Sequence, residues 1–157
     1  MDAQDFEKYA EDKTFNYSVS NLWETVLSEV FSRLLKPLSD INILDYGCGD
    51  GKYFPHFRSK GFLPEQIHGV EISSLRIERC KRIGWKNAHL IQKGEKLPYS
   101  NATFDIVNFM EVIEHIPQNA IGQVLSEIRR VLKPGGFLVI STPNYPIKRF
   151  YDLVDAF

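Results

Sequence analysis

The segment ILDYGCGDGKYF, from Ile43 to Phe54, places three glycines and three charged residues directly after a short apolar run. Glycine adopts positive φ angles and lets another molecule approach the backbone closely, so a glycine cluster after a strand indicates a sharp turn or a binding loop. The first turn of a following helix adds free N–H groups, which bind polar or anionic groups. This loop is therefore the first candidate for a ligand site.

The spacing of the glycines restricts the kind of ligand. The dinucleotide fingerprint G-x-G-x-x-G needs glycine or alanine at position 52, where this chain has Lys52. The pattern is instead G-x-G-x-G preceded by Asp45, whose carboxylate either accepts from a ligand ammonium group or stabilises the turn. About 20 residues further on, Glu71 ends a second apolar run, where a carboxylate can bind both hydroxyls of a ribose. Together these features predict a nucleoside ligand without a pyrophosphate.

Short apolar runs alternate with segments of helical period along the chain. Five runs predict strands: INILDY, QIHGVEI, AHLIQ, FDIVNFM and GFLVIST. QNAIGQVLSEIRRVLKPGG predicts a helix with one apolar face, formed by Ile121, Val124, Leu125, Ile128 and Leu132, and an end at Pro134, Gly135 and Gly136. Such alternation gives right-handed βαβ units, so the predicted fold class is α/β with a mostly parallel sheet. Ligands bind beyond the carboxyl ends of strands in such sheets, which is where the glycine loop lies.

An amphipathic segment precedes the first strand. Its apolar residues follow helical spacing: Leu22, Trp23, Val26, Leu27, Val30, Phe31, Leu34 and Leu35. Asn21 is the predicted N-cap, with Glu24 three residues further on. We interpret the 157 residues as a single domain, with an N-terminal helical cap region at 1–38 and a core at 39–157.

Composition narrows the classes of protein. With 43% hydrophobic and 25% charged residues the chain is typical of a globular domain, and its net charge of -1 argues against nucleic acid or an anionic membrane as the main partner. The polar N-terminus lacks the apolar core of a secretory signal, and no apolar run approaches the roughly 20 residues of a membrane span. The only cysteines are Cys48 and Cys80. These features predict a cytoplasmic protein without a membrane span.

Four segments resemble, in order and spacing, the motifs of class I S-adenosylmethionine-dependent methyltransferases of the ubiquinone O-methyltransferase-like type. They are ILDYGCGDG, GVEIS, GEKLPYSNATFDIVNFMEVIEHIP and EIRRVLKPGGFLVISTPN, and they extend over roughly Ile41 to Asn144. The resemblance implies a Rossmann-like three-layer sandwich. It also implies S-adenosyl-L-methionine as the cofactor and S-adenosyl-L-homocysteine as its product.

Carried over by position, the resemblance assigns residues to parts of the cofactor. The first loop goes to the methionine portion, the end of the second strand to ribose and adenine, the segment after the third strand to the adenine edge, and the fourth strand to the cofactor wall. In that order the residues are Asp45, Gly47 and Gly49; Glu71 and Ile72; Gly94 and Glu95; and Asn108, Met110 and Glu111. Cys48, between the first two loop glycines, is a further candidate for cofactor binding. Where many relatives have an Asp that accepts from the adenine amino group, this chain has the donor-only Lys93, so Glu95, a backbone carbonyl or stacking would have to hold adenine.

The segment MEVIEHIP holds the candidates for proton transfer and metal binding. Glu111, Glu114 and His115 have i, i+3 and i+4 spacing, which on one helical turn would place them on a common side. His115 is the candidate catalytic base, because it alone of the four histidines follows a strand beside the cofactor motifs. Similar segments bind metal in Hen1-type RNA 3′-terminal 2′-O-methyltransferases, but no His follows His115 to supply the fourth ligand. No metal site is therefore predicted, and the three residues are weak candidates for one.

The implied activity is methyl transfer, and oxygen of a small molecule is the favoured acceptor. Two alternatives stay open: methylation of an RNA 3′ end, and cofactor binding without turnover. An NAD-dependent oxidoreductase is disfavoured by Lys52. Aromatic residues near both ends of the chain are candidates for the acceptor wall: Phe15, Tyr17, Trp23, Tyr145, Phe150 and Tyr151.

The final segment, IKRFYDLVDAF, resembles the start of the helix that follows the fifth strand in the family. The family's sheet continues with two more strands that form a hairpin, which this sequence does not contain. We therefore expect a C-terminally incomplete domain whose fifth strand is an edge strand. An exposed edge predicts homodimerisation through the fifth strand or the final helix.

Overall fold

The computed structural model describes residues 19–143, and in that part of the chain five strands form one parallel sheet in the order β3-β2-β1-β4-β5. The strands are β1 Ile43–Tyr46, β2 Ile67–Glu71, β3 Ala88–Leu90, β4 Phe104–Met110 and β5 Leu132–Ser141. The helices are α1 Asn21–Leu34, α2 Phe54–Ser59, α3 Ser74–Arg82 and α4 Gln118–Val131. Short 3-10 turns lie at Leu38–Asp40, Pro64–Gln66 and Ile113–His115. The predicted α/β class with a parallel sheet is confirmed.

Two apolar clusters cover the two faces of the sheet, which gives the expected three layers. The cluster with α1, α2 and α3 is built around large buried side chains: Trp23, Leu27, Phe57, Phe62, Ile77 and Trp85. The cluster with α4 contains Leu44, Val70, Phe104, Val107, Phe109, Val124 and Ile128. β4 contributes to both clusters, because alternate side chains of a strand point to opposite faces. Within residues 19–143, no helix has both the length and the apolar character needed to cross a bilayer.

α1 begins one residue earlier in its cap than the sequence predicted. The N-cap is Ser20, whose hydroxyl accepts from the Trp23 N–H at 3.2 Å, and Asn21 is already helical. Only part of the apolar stripe is covered by the sheet: Trp23 is buried, whereas Leu22 and Val26 are 73% and 38% exposed. The stripe is wider than the surface against which it packs, so its outer residues are left at the surface.

The helix before β5 also differs from the prediction. α4 ends at Val131, and Leu132 already pairs with Phe104 as the first residue of β5. Proline disfavours the helical conformation of the residue before it, so Pro134 forces the chain out of the helix early. The ladder then shifts register between Phe104 and Ile106, and KPGG is taken up as a bulge.

A buried carboxylate stabilises the end of the sheet that lies opposite the glycine loop. Asp105, at the start of β4, accepts from Lys36 and Lys133 at 2.7 Å each and from the Asn42 N–H at 2.9 Å. Burial alone would raise the pKa of Asp105, but these donors lower it below its usual value. The contacts tie the chain after α1, the entry to β1 and the start of β5 to one point.

Candidate functional site

A cavity of about 1050 Å³ opens above the carboxyl ends of β1, β2 and β4. Its walls come from the glycine loop, the end of β2, the segments after β3 and β4, the end of β5 and one side of α1. Most of the residues assigned from the sequence line it: Gly47, Cys48, Gly49, Glu71, Ile72, Gly94, Met110, Glu111, Glu114 and His115. Asp45, Asn108 and Glu95 do not form its wall. The volume is large enough for a nucleoside cofactor together with a small second ligand.

The glycine loop has a backbone that other residues cannot easily adopt. Gly47 and Gly49 have φ angles of 73° and 54°. A Cβ atom at Gly47 would lie 2.5 Å from a methyl group of Val112, so a side chain there is excluded by space as well as by φ. The N–H groups of Gly47 and Cys48 donate to the Val70 carbonyl at 2.8 and 3.0 Å. The loop is thus folded back against the end of β2, with its surface open to the cavity.

Glu71 connects this loop to the end of β2. Its carboxylate is 7% exposed and, within the described chain, accepts from the N–H groups of Gly49 at 2.9 Å, Ile72 at 2.8 Å and Ser73 at 3.1 Å. A carboxylate has about four acceptor sites, so capacity is left for a ligand hydroxyl. The backbone bonds thus hold the carboxylate in place at the cavity wall, where it could accept hydrogen bonds from hydroxyl groups.

Asp45 lies beneath the loop at the end of β1 and is 2% exposed. One oxygen, Oδ1, accepts from Asn108 Nδ2 at 2.7 Å, and Oδ2 has no hydrogen-bond partner in residues 19–143. Burial raises the pKa of this carboxyl to about 7; the Asn108 bond lowers it, nearby Glu71 raises it and Lys52 lowers it. A buried acceptor without a donor is costly, and an ammonium group brought by a ligand would relieve that cost.

Asn108 is held from the other side by α1. Its Oδ1 accepts from the Trp23 indole N–H at 2.9 Å, and the bond is buried. Asp45 and Asn108 are paired in register on the neighbouring strands β1 and β4. Sequence reasoning missed the role of Trp23, although the polar Asn in the otherwise apolar run IVNFM was a signal that a buried partner existed.

The segment after β3, which the sequence assigns to the adenine edge, forms part of the cavity wall. Ile91, Gln92, Lys93 and Gly94 line the cavity, as does Ile72. The Glu95 carboxylate turns back and accepts from the Gln92 N–H at 2.8 Å, which closes the turn. Glu95 therefore does not face the cavity, and the role in adenine recognition assigned to it from the sequence stays a prediction.

The segment after β4 does not form the single helical turn that the spacing suggested. Glu111 has a φ of 57°, in the left-handed region, and the 3-10 turn begins only at Ile113. The Glu111 N–H donates to the Ser141 carbonyl at 3.0 Å, and its carboxylate accepts from the Ser141 hydroxyl. These bonds to β5 stabilise the unusual backbone. Within residues 19–143, no three His, Cys, Asp or Glu side chains are grouped so that they could hold a metal ion.

His115 lies at the end of the 3-10 turn and lines the cavity; His56, His68 and His89 do not. Its backbone N–H donates to the Val112 carbonyl at 3.0 Å, which fixes the turn. The neighbouring Glu114 carboxylate accepts from the Thr142 hydroxyl at 3.4 Å. His115, Glu114 and Thr142 are all exposed and all line the cavity.

Three exposed apolar side chains form part of the cavity mouth, beside exposed polar residues such as Glu114 and Thr142, and the sequence did not predict them. They are Leu22 and Val26 of α1 and Ile140 of β5, and Ile140 is 46% exposed. Trp23 is the one predicted acceptor-wall aromatic within the described residues, and it is buried at the cavity wall. The other predicted aromatics fall outside the described residues: Phe15, Tyr17, Tyr145, Phe150 and Tyr151.

Cys48 lines the cavity but is unsuited to act as a nucleophile. Two effects raise the pKa of its thiol well above the usual value: a hydrogen bond with Cys80, which is the larger, and burial. The Cys80 thiol in turn donates to the Gly49 carbonyl at 3.2 Å. The thiolate is the reactive form of cysteine, so Cys48 is not poised to react, and the buried Cys80 holds the loop through its bond to Gly49.

Comparison with known proteins agrees with this geometry. A family model described as a methyltransferase domain matches residues 20–153. The ubiquinone biosynthesis O-methyltransferase of Bradyrhizobium sp. (strain ORS 278) is 34% identical over 128 residues, which cover 76% of this chain and 46% of that protein. The malonyl-(acyl-carrier protein) O-methyltransferase of Legionella pneumophila is 30% identical over 142 residues, covering 87% of this chain and 48% of that protein.

Solved structures share the fold. A SAM-dependent methyltransferase from Archaeoglobus fulgidus aligns with a TM-score of 0.64 at 23% identity, covering 83% of this chain and 58% of that chain. The present chain spans between 46% and 65% of the length of the first curated relatives that it matches. The residues matched by the family model include the glycine loop, Glu71 and the segment after β4.

Proposed function

This chain belongs to the class I S-adenosylmethionine-dependent methyltransferases, and from that premise we propose that it binds S-adenosyl-L-methionine and transfers the methyl group to oxygen of a small molecule. The observation that carries the proposal is the Glu71 carboxylate, held at the cavity wall by backbone N–H groups that include the one of Gly49 in the glycine loop. That arrangement fits a ribose bound by Glu71 beside an amino-acid tail at the glycine loop. These residues therefore suit S-adenosyl-L-methionine.

The chain's own residues would bind the two ends of the cofactor differently. Glu71 would accept from the ribose hydroxyls, while Ile72 and Ile91 provide apolar walls for the base. The open surface of the loop at Gly47 and Gly49 leaves room for the amino-acid tail, which would bring its ammonium group towards Asp45. The role of Glu95 in this scheme is to hold the turn in which Gly94 lies.

When bound, the cofactor supplies a methyl group on positively charged sulfur, which is already electrophilic. The protein therefore has to exclude water and to align an acceptor lone pair with the methyl carbon. Leu22, Val26 and Ile140 at the cavity mouth would contribute to both tasks, because apolar walls exclude water and favour an acceptor with an apolar body.

A hydroxyl acceptor must lose its proton during transfer, and we assign that proton to His115. It is the one histidine of residues 19–143 that lines the cavity, and it follows β4 in the 3-10 turn Ile113–His115. Imidazole is the usual proton acceptor near neutral pH. Glu114 and Thr142 follow the same wall and would bound the acceptor position.

Two measurements test the proposal. Isothermal titration calorimetry should detect binding of S-adenosyl-L-methionine and S-adenosyl-L-homocysteine, and no binding of NAD. Transfer of a labelled methyl group should then occur to members of a panel of small hydroxylated molecules. Binding without transfer to any acceptor would favour a cofactor-binding domain without turnover, and transfer to short RNAs alone would favour the RNA-end activity.

A further inference from the structure

Three side chains from three elements form a buried hydrogen-bonded chain beneath the cavity. The Trp23 indole N–H donates to Asn108 Oδ1 at 2.9 Å, and Asn108 Nδ2 donates to Asp45 Oδ1 at 2.7 Å. The three side chains are 2%, 0% and 2% exposed. We infer that Trp23 and Asn108 are positioning residues that aim Asp45 Oδ2 at the ammonium group of the cofactor, and so couple α1 to cofactor binding. This inference rests on the proposed function.

The chemistry of the three groups allows only one direction for this chain of bonds. An indole nitrogen is a donor only and an ionised carboxylate is an acceptor only, so the amide between them has to present its oxygen to Trp23 and its nitrogen to Asp45. The Asn108 amide therefore cannot flip without losing both bonds. Fixing the amide fixes Oδ1 of Asp45, which leaves Oδ2 as the atom available to a ligand.

The charge of Asp45 reaches the cavity although its side chain lies below the wall. It interacts electrostatically with Lys52 and Glu71, and it raises the pKa values of Tyr53 and Cys48. All four of these residues line the cavity. The two partners on α1 and β4, Trp23 and Asn108, do not titrate, so Lys52 and Glu71 are the charged groups that act on Asp45 from the surrounding elements.

Protonation and ligand binding compete for the same atom. Because Oδ1 is already occupied by Asn108, a proton on Asp45 would sit on Oδ2 and remove the acceptor that a ligand ammonium group needs. With a pKa of about 7 for this carboxyl, binding of an ammonium-bearing ligand should be about tenfold weaker at pH 6 than at pH 8. A ligand that lacks the ammonium group should not show this dependence.

α1 is connected to Asp45 through Trp23, whose indole N–H donates to Asn108. The same helix supplies Leu22 and Val26 to the mouth of the cavity, where the acceptor would bind. A shift of α1 would therefore be transmitted through Trp23 and Asn108 to the Asp45 carboxylate. The chain of bonds offers a direct physical link between the acceptor side and the amino-acid end of the cofactor.

The test is calorimetric binding of S-adenosyl-L-homocysteine and of 5′-methylthioadenosine, which lacks the amino-acid tail, from pH 6 to pH 9. We expect Trp23→Phe to move the midpoint of S-adenosyl-L-homocysteine binding upward by about half a pH unit, and Asn108→Leu by about one unit, since both weaken the bond that lowers the Asp45 pKa. Asp45→Asn should abolish the pH dependence. 5′-Methylthioadenosine should bind alike in all variants.

Trp85→Phe is the matched control. Trp85 is also fully buried and donates one hydrogen bond, to the Ile67 carbonyl at 2.8 Å, but it takes no part in the chain. Trp85→Phe should lower the free energy of unfolding but leave the pH midpoint of S-adenosyl-L-homocysteine binding unchanged. Folded Trp23→Phe and Asn108→Leu proteins with the wild-type midpoint would overturn the inference.

A readout without ligand separates this inference from the proposed function. The carboxyl carbon-13 resonance of Asp45 should titrate near pH 7 in the free protein, and the midpoint should rise in Asn108→Leu. A failure of S-adenosyl-L-homocysteine to bind at any pH would contradict the proposed function. An Asp45 titration that does not respond to Asn108→Leu would contradict the positioning role.

Discussion

The two buried carboxylates of the site differ in what surrounds them. Glu71 accepts from three backbone N–H groups in the described chain, so most of its acceptor capacity builds the loop. Asp45 accepts from the single donor Asn108 and keeps one oxygen without a partner in that part of the chain. Both positions could be predicted from spacing, because each follows an apolar run that ends at the same edge of the sheet. The partner of Asp45 could not, since Asn108 lies 63 residues from Asp45 along the chain, and Trp23, which holds Asn108, lies 85 residues from Asn108.

Replacing Glu71 should weaken cofactor binding. We expect Glu71→Ala to reduce the affinity for S-adenosyl-L-homocysteine by about 1.5–3 kcal/mol, because charge-assisted bonds to the ribose are lost. Calorimetric titration measures this directly. Glu78→Ala is the matched control: Glu78 is an exposed residue of α3 whose contact with Arg82 is 3.7 Å long, and its loss should leave binding unchanged. Equal affinity of folded Glu71→Ala and wild-type protein would contradict the ribose assignment.

Replacing His115 should alter the pH profile of methyl transfer. At saturating cofactor, where titration of Asp45 no longer limits binding, we expect His115→Gln to lower kcat and to remove the acidic limb of the rate profile, since the proton acceptor is gone. His89→Gln is the control, because His89 is exposed on β3 and does not line the cavity. An acidic limb that persists in His115→Gln would assign the proton to another group.

Metal dependence distinguishes the two proposed classes of methyl acceptor, a small molecule and an RNA 3′ end. We expect added magnesium or manganese to change the rate little, since the described part of the chain offers no cluster of three metal-binding side chains. Steady-state rates with and without a chelator give the answer. Two results together would favour the RNA-end activity: a strict requirement of the wild-type protein for a divalent cation, and loss of that requirement in Glu114→Gln.

At the scale of elements, boundaries were harder to predict than the elements themselves. Each of the five strands was expected from its apolar run, and each is present in residues 19–143. The start of β5 and the turn after β4 were not predicted, because both depend on bonds to a neighbouring strand. Glu111 keeps its left-handed backbone through Ser141, and Leu132 leaves the helix to pair with Phe104. Periodicity within one segment contains no information on such partners.

Two glycines outside the loop give predictions of opposite sign. In β2, a Cβ at Gly69 would lie 2.6 Å from the Trp85 ring and 2.9 Å from the Cys48 sulfur, so Gly69→Ala should lower the free energy of unfolding by about 1–3 kcal/mol. In α4, Gly122 meets nothing within 4 Å, so Gly122→Ala should raise the free energy of unfolding by about 0.5–1 kcal/mol. Urea denaturation measures both. Stabilisation by Gly69→Ala would mean that Trp85 can move aside.

For the whole molecule, the class of fold followed from alternation and the position of the site from topology. β1 lies between β2 and β4, so the strand order reverses there and the loop after β1 faces open space above the sheet. The sequence predicted the site at the carboxyl ends of the strands on this ground. The apolar part of the cavity mouth was not predicted, because it depends on how α1 packs against β5. Homodimerisation and a cytoplasmic location stay predictions from the sequence.

The buried Asp45 should make the stability of the whole protein depend on pH in an unusual direction. Its pKa rises from 3.8 in the unfolded reference to about 7 in the folded protein, so the folded state holds the proton more tightly. Its contribution to stability is therefore complete below about pH 4 and is lost as the pH rises towards 7. Asp105, whose pKa is lowered, acts in the opposite sense.

A single substitution tests the contribution of Asp45, because groups that do not interact with Asp45 contribute equally to both proteins and cancel in the difference from wild type. Asn resembles the protonated carboxyl, so Asp45→Asn should leave the free energy of unfolding nearly unchanged near pH 4. Relative to wild type it should gain about 2–3 kcal/mol between roughly pH 5 and pH 8. Urea denaturation of both proteins at pH 5 and at pH 8 measures the gain. The variant would then be more stable and poorer at binding the cofactor, as expected when a buried charge is retained for function. A difference that stays constant with pH would show that Asp45 is already ionised in the folded protein at pH 5, and that its surroundings stabilise the charge.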